Sequence, residues 1–371
     1  MITMWDILRP DAISVWRDPI VRERLSWYYS VMRDEMPAKF MICKKIAVEE
    51  DFEGKEIEDL WKIHEEKSKL FDKLLKSLKT GKTKIEKLPN GSPNFLDLKT
   101  EIAYRMLERC EFCERRCGVN RRKGDVGVCG VKFPNVHSCF HHYGEEAPLV
   151  PSGTIFYGGC NFKCVFCQNY DISQEYPNDG AVVDAKKLAL MQKDLRLSEA
   201  RNINHVGGDP TPNLHVIIES LKYLDVNVPQ LWNSNMYCSV ETMKLLREVI
   251  DIWLPDMKYG RDECAERLSL VKDYWKIVTR NIKWAHDWSD IIIRHLVLPN
   301  HLECCTKPVL KWIAKNCPRA LVNIMEQYRP VFKVPKYPEK YRDINRRPSV
   351  KEMEEAYRYA RELGIVYEPV S

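Results

Sequence analysis

Gly158-Gly159-Cys160-Asn161-Phe162-Lys163-Cys164-Val165-Phe166-Cys167 is the stretch on which the reading of this chain turns. It closes an apolar run, 154–159, that reads as a strand. Three thiols at Cys-x3-Cys-x2-Cys spacing therefore sit on one short loop at a strand's carboxyl end. Such a trio can hold three irons of a cubane cluster and leave the fourth open to a ligand. The competing reading is a zinc site with a distant fourth ligand. The spacing, the aromatic Phe166 before the third cysteine and the preceding glycine pair weigh against it.

Downstream, short apolar runs alternate with amphipathic stretches. Strands are expected at 154–159, 202–207, 230–235, 250–257, 291–298 and 320–325, and helices at 184–200, 213–224, 240–249, 262–284, 306–316 and 350–363. About six β-then-α units imply an α/β fold with a parallel sheet, either open or a partial (β/α)6 barrel, with the chemistry at the carboxyl ends of the strands. Upstream, 57–78 carries Leu60, Trp61, Leu74 and Leu75 at helical period, and 80–93 reads as a linker. The chain divides into a helical extension (1–100), a cysteine-rich metal-binding segment (101–150) and the partial barrel (151–371). No internal repeat or low-complexity tract is visible.

The triplet resembles that of the radical S-adenosylmethionine superfamily. Its surroundings, from Gly153 to Cys160 and from Gln168 to Ser173, resemble the branch related to pyruvate formate-lyase activating enzymes, within which 105–365 is similar to an archaeal and bacterial group. The resemblance implies a [4Fe–4S] cluster on Cys160, Cys164 and Cys167. Its open iron would chelate S-adenosylmethionine, and cleavage would give a 5′-deoxyadenosyl radical that abstracts hydrogen from an unactivated carbon.

The other strand ends complete that expectation. Gly207-Gly208-Asp209-Pro210 stands where the superfamily has Gly-Gly-Glu-Pro, so Asp209 would accept from the methionine ammonium and the glycines would let backbone approach the ligand. The turn alone would also explain these residues. Asn233, Ser234 and Asn235 suit ribose hydroxyls or a helix cap. Asp256-Met257-Lys258 resembles the Asp-x-Lys of activating enzymes, in which the lysine neutralises the methionine carboxylate. By the same resemblance Arg294 would reach the ligand, and Leu296 and Leu298 would flank adenine, unless the leucines simply pack in the core. Glu326 to Pro330 would face substrate at the mouth.

A second set, Cys110-x2-Cys113-x3-Cys117-x11-Cys129, matches a closed zinc site or an auxiliary Fe–S cluster. Arg115, Arg116, Arg121, Arg122 and Lys123 would offset its thiolate charge. Cys139 is either a spare ligand or an inert thiol. His141 and His142, beside Glu145 and Glu146, point to opposite sides of a strand, which favours a structural role over a joint metal site. Six further cysteines (Cys43, Cys238, Cys264, Cys304, Cys305, Cys317) are scattered, and for most a small buried side chain suffices.

The 371 residues, 44% hydrophobic and 30% charged, can bury a large core, and the net charge of +5 does not by itself imply nucleic acid. No apolar stretch of about 18 residues suggests a membrane span. The first 20 residues, with Asp6, Arg9, Asp11, Arg17 and Asp18, do not read as a signal peptide, so a cytoplasmic location is expected. The expected partners are a protein or peptide substrate and a reductant such as ferredoxin or flavodoxin. Four alternatives stand beside hydrogen abstraction for protein modification. One is cobalamin-dependent C-methylation of a glutamine in methyl-coenzyme M reductase; the others are glycyl-radical activation, RNA modification through 115–123, and a non-enzymatic metal-bearing interaction protein. Trp5, Trp16, Trp27 and Trp61 could cap a large planar cofactor or dock a partner, which leans toward methyl transfer. No Asp-x-His-x-x-Gly cobalamin motif accompanies them.

Overall fold

The computed structural model describes residues 8–52 and 54–371. Residues 1–7 of the expected extension, Trp5 among them, lie outside the described residues. The extension comprises α1 (Asp11–Ser14), α2 (Pro19–Arg24), α3 (Ser26–Met32), α4 (Lys39–Cys43), α5 (Ile57–Lys79) and α6 (Phe95–Arg105). Strands β1 (Asn135–His142), β2 (Ser152–Tyr157), β3 (Ala181–Val182), β4 (Asn202–Gly207), β5 (Gln230–Ser234), β6 (Ile252–Pro255), β7 (Asp290–Leu296) and β8 (Leu321–Met325) follow. They form one sheet in the order β3-β1-β2-β4-β5-β6-β7-β8. From β2 through β8 the pairing is parallel, while β1 runs antiparallel to both β2 and β3. Among the described residues β8 does not pair back to β3, so the sheet is the expected incomplete (β/α)6 barrel with an added edge.

The helices alternating with these strands are α7 (Ala185–Leu197), α8 (Leu214–Tyr223), α9 (Val240–Leu246), α10 (Asp262–Ser269), α11 (Tyr274–Trp288), α12 (Lys307–Asn316) and α13 (Val350–Glu362). Caps set several starts: Asp184 accepts from Lys187 N, Ser239 from Thr242 N, and Ser349 forms a capping box with Glu352. The helix expected over 262–284 is two helices. The chain breaks where Leu270 and Asp273 take left-handed φ of 55° and 50°. Periodicity alone could not see that break, because the apolar positions on both sides still face the core. Strand β1 escaped the sequence reading because Asn135 to His142 is largely polar, as suits a strand near a sheet edge. No helix among the described residues is long and apolar enough to cross a membrane.

The extension plugs the end of the barrel opposite the strands' carboxyl termini. Inward-facing Leu231, Ile252, Leu254, Ile292 and Leu321 pack against Val15, Trp16, Val21, Leu25 and Tyr28. Polar contacts also fall where strands begin. Arg24 donates to Ala320 O (2.8 Å), Trp27 Nε1 to Asp251 Oδ1 (2.9 Å) and Tyr28 N to Asp290 Oδ2 (2.8 Å). Outside the barrel, buried Lys99 on α6 pairs with Glu248 at 2.6 Å, and Ser68 on α5 donates to the same carboxylate. Trp16 and Trp27 therefore serve packing at the closed end and do not face the mouth. They do not cap a cofactor there.

Burial pushes the Asp290 carboxyl up to about 7 and the Asp251 carboxyl up to about 6. A carboxyl raised on folding keeps a proton that the unfolded chain releases. Its contribution to stability is therefore lost as pH rises from about 4 through 7. Asp290→Asn keeps an acceptor for Tyr28 N–H and removes the titration. Relative to the native protein, the variant should gain on the order of 2 kcal/mol between pH 5 and pH 8 in urea unfolding. An unchanged difference between the two proteins across that range would mean that Asp290 folds ionised.

Candidate functional site

The site begins where the ends of β2 and β4 meet. Gly208 N donates to Tyr157 O and Asp209 N to Gly159 O, both at 2.9 Å. A Cβ on Gly208 would fall 2.1 Å from Gly159 O. This glycine is needed for strand end to approach strand end, a requirement in addition to the close ligand approach expected from the sequence. The clamp fixes the start of the cysteine loop beside the turn that carries Asp209.

Cys160 and Cys164 are buried and Cys167 is partly buried. Phe162 N lies 3.3 Å and Asn235 Nδ2 3.7 Å from Cys160 Sγ. Ser269 Oγ stands 2.9 Å from Cys164 Sγ, and Ser173 Oγ 3.3 Å from Cys167 Sγ. The loop backbone is anchored as well, since Lys163 N and Val165 N donate to Ser269 O and Leu268 O of α10. Burial pushes the Cys164 thiol up to about 12 and the Cys160 thiol well above its ordinary value. Thiolates in such a place need a compensating cation, as iron would provide. Each sulfur also has a hydrogen-bonding group beside it, the arrangement that supports metal thiolates. Among the described residues the cavity wall holds these three cysteines and no fourth, which fits a cluster with one iron left for a ligand.

The cavity encloses about 1400 Å³ of space between atoms, part of it open to solvent. Phe166, Gly207, Gly208, Asp209, Asn233, Ser234, Asn235, Asp256, Lys258, Arg294 and Leu296 all line it with the triplet. Leu298 does not; it lies beyond the end of β7 and is buried in the core. Asp209 is buried and accepts from Thr211 N (3.0 Å), Ser234 Oγ (3.0 Å) and Asn235 N (3.1 Å), so it also shapes the end of β5. Asn235 Nδ2 donates to Asn161 Oδ1 at 2.7 Å, tying β5 to the cysteine loop.

Arg294 organises the floor. Its Nε donates to Asp256 Oδ1 (3.0 Å), its Nη1 to Glu145 Oε2 (3.2 Å), and its Nη2 to Asn233 Oδ1. Lys258 Nζ lies 2.6 Å from Asp256 Oδ2. Sequence reasoning did not assign Glu145 and Glu146 to the site. Asn204 Nδ2 donates to Glu145 and Asn323 Nδ2 to Glu146, and burial raises Glu146 to about 7. The one sequence signal for this pair was an acidic doublet just past His142; its position depends on β1, which was not foreseen. The histidines diverge as expected, His141 Nε2 to Ser198 O (2.7 Å) and His142 Nδ1 toward Glu145 Oε1 (3.3 Å).

Cys110, Cys113, Cys117 and Cys129 converge around a small cavity with Arg115, Arg121, Asn161 and Thr211. It shares a wall with the triplet, because Cys160 N donates to Cys129 O (3.3 Å) and Arg115 Nε to Asn161 O (2.9 Å). Cys139 packs against the hydrophobic core. Most of the basic run is engaged by groups of the same chain. Arg116 pairs with Glu111, Glu114 and Glu241, Arg122 pairs with Glu108, and Arg121 donates to Pro212 O.

Removing Arg294 would strand several buried carboxylates. Arg294→Met should destabilise the protein by about 3 kcal/mol in urea unfolding at pH 8, and a loss below about 1 kcal/mol would show that the network is solvated.

A family model described as the Radical SAM superfamily matches residues 154–313. The uncharacterized protein MJ0674 of Methanocaldococcus jannaschii is 47% identical over 352 residues, covering 93% of this chain and 100% of that one. Among solved structures, SuiB of Streptococcus suis bound to the precursor peptide SuiA aligns at TM-score 0.40 and 15% identity, over 56% of this chain and 44% of SuiB. A domain of a pyruvate-formate lyase-activating enzyme from Bacteroides vulgatus aligns at TM-score 0.35 and 16% identity, over 45% of this chain and 96% of that domain.

Proposed function

This chain belongs to the radical SAM superfamily, and we propose that it abstracts hydrogen from a carbon of a protein or peptide substrate to modify that substrate. The observation that carries the reading is one cavity in which three cysteines meet a set of groups suited to a nucleoside bearing an amino acid. In this reading Cys160, Cys164 and Cys167 hold a [4Fe–4S] cluster. When bound, the cluster supplies the electron that cleaves S-adenosylmethionine to methionine and a 5′-deoxyadenosyl radical.

The chain's own residues bind and orient. Asp209 offers a carboxylate to the methionine ammonium while holding Ser234 and Asn235 in place. Lys258 and Arg294 bring positive charge for the methionine carboxylate, each steadied by Asp256. Asn233 and Ser234 present polar groups suited to ribose hydroxyls, and Leu296 and Phe166 present apolar surface to the base. The unclosed sheet, and a rim where Gln168 Nε2 donates to Gln327 O (3.1 Å), support entry of a polypeptide segment. Electrons would come from a ferredoxin or flavodoxin, and Cys110, Cys113, Cys117 and Cys129 would hold a second Fe–S cluster or zinc beside the first.

Trp16 and Trp27, two of the tryptophans that leaned toward cobalamin, sit at the closed end, and Arg116 and Arg122 of the basic run are held in ion pairs with carboxylates of this chain. Both observations favour protein modification without cobalamin.

Anaerobically reconstituted protein, reduced with S-adenosylmethionine present, should produce 5′-deoxyadenosine, and Cys164→Ala should abolish it. Persistent cleavage by the variant would defeat the assignment of the triplet. Cobalamin retained on purification, with S-adenosylhomocysteine appearing once substrate is added, would instead identify a methyltransferase. Cys113→Ala should lower metal content while leaving the triplet's iron in place, as read by iron and zinc per chain; unchanged content would defeat the second site.

A further inference from the structure

Three of the six scattered cysteines are brought together with one histidine, far from both cysteine groups in sequence. Cys264 is on α10, and His301, Cys304 and Cys305 lie on the widened turn after β7, whose π-helical stretch spans Leu302–Thr306. The turn folds Cys304 and Cys305 back onto the His301 ring. A Cβ on Gly260 would meet Cys304 O at 2.7 Å, so only glycine there lets the start of the α10 segment close onto this turn.

The four ligating atoms, three Sγ and His301 Nδ1, all lie within 4.8 Å of one another. A tetrahedral zinc with three sulfurs and one nitrogen would have edges of about 3.8 Å between sulfurs and about 3.5 Å from sulfur to nitrogen. Cys264 Sγ is 3.9 Å from Cys304 Sγ, and Cys304 Sγ is 3.8 Å from Cys305 Sγ. His301 Nδ1 is 3.6 Å, 3.2 Å and 3.7 Å from Cys264, Cys304 and Cys305. Thiolates of a cubane cluster stand farther apart, each on its own iron, so this set is sized for a single ion.

We propose that Cys264, His301, Cys304 and Cys305 form a closed, four-coordinate zinc site that fastens α10 to the turn after β7. The surroundings of His301 complete it. Its Nε2 lies 2.9 Å from Asp343 Oδ2, the carboxylate–histidine arrangement that fixes the tautomer and leaves Nδ1 free to ligate. Arg267 pairs with Asp343 and brings positive charge near the three thiolates. A surface depression lined by Gly260, Asp262, Cys264 and Cys304 gives the ion a path in. The far end of α10 carries Ser269, 2.9 Å from Cys164 Sγ, so the zinc would brace the helix against which the cysteine triplet rests.

The test uses the full chain, anaerobically isolated and reconstituted with iron and sulfide, then supplied with zinc and desalted. Native protein should hold one zinc per chain more than the Cys264→Ser/Cys304→Ser variant; zinc at any other site contributes equally and cancels. The zinc-edge X-ray absorption difference should show three sulfurs at about 2.3 Å and one nitrogen at about 2.0 Å. Should the double variant fail to fold, Asp343→Asn should still fold and should lose zinc to a competing chelator about 10- to 100-fold more readily than native protein. Equal zinc counts in native protein and double variant, unchanged chelator competition in Asp343→Asn, or zinc-free native protein with a Cys264–Cys304 disulfide would each overturn the proposal.

Discussion

Two strand ends touching backbone to backbone are the constraint from which the rest of the site follows. Gly208 can lie against Gly159 only because it carries no side chain: a Cβ there would fall 2.1 Å from Gly159 O. With that contact made, the hydrogen bonds Gly208 N to Tyr157 O and Asp209 N to Gly159 O hold the cysteine loop and the Asp209 turn side by side. Asp209 then reaches across to Ser234 and Asn235, and Asn235 reaches back to Asn161. Three strand ends are thereby locked in a ring around the place where the thiols converge.

Electrostatics set the character of that place. The cavity wall carries Glu145, Asp209 and Asp256 against Lys258 and Arg294. Buried charges are tolerable there because nearly every one has a hydrogen-bonded partner. The slight excess of carboxylate suits a ligand carrying a sulfonium and an ammonium as well as a carboxylate. The thiols too have hydrogen-bonding groups beside them, yet burial disfavours their ionised form until a cation arrives. Fold and cofactor are coupled in this sense: the protein shapes a site whose charge is completed from outside.

Much of this was legible in the order of residues. The alternation of β-branched runs with amphipathic stretches located every parallel strand to within a few residues, because buried strands and surface helices impose their own periods. Eleven of the twelve wall residues expected around the triplet line the cavity, and Leu298 misses only because β7 ends at Leu296. The polar strand β1 beside the sheet's edge, the break in the 262–284 helix and the part played by Glu145 and Glu146 were not legible. None of them leaves a periodic trace. A strand covered on one side only by the two-residue β3 needs no apolar alternation, a left-handed Leu270 is dictated by its neighbours in space, and an acidic doublet in a turn looks the same whether it faces water or Arg294.

The sequence by itself determined the kind of chemistry: three thiols within eight residues must lie close together whatever the rest of the chain does. It likewise determined the parallel α/β architecture, since both follow from backbone geometry over a few neighbouring positions. Only the tertiary structure decided that the tryptophan-rich extension seals the barrel's far end, that the two cysteine groups share a wall, and that Cys264 meets His301, Cys304 and Cys305. These depend on which strands pair and how helices pack over them, and contacts between residues tens to hundreds of positions apart are set by sheet order and packing, not by local spacing.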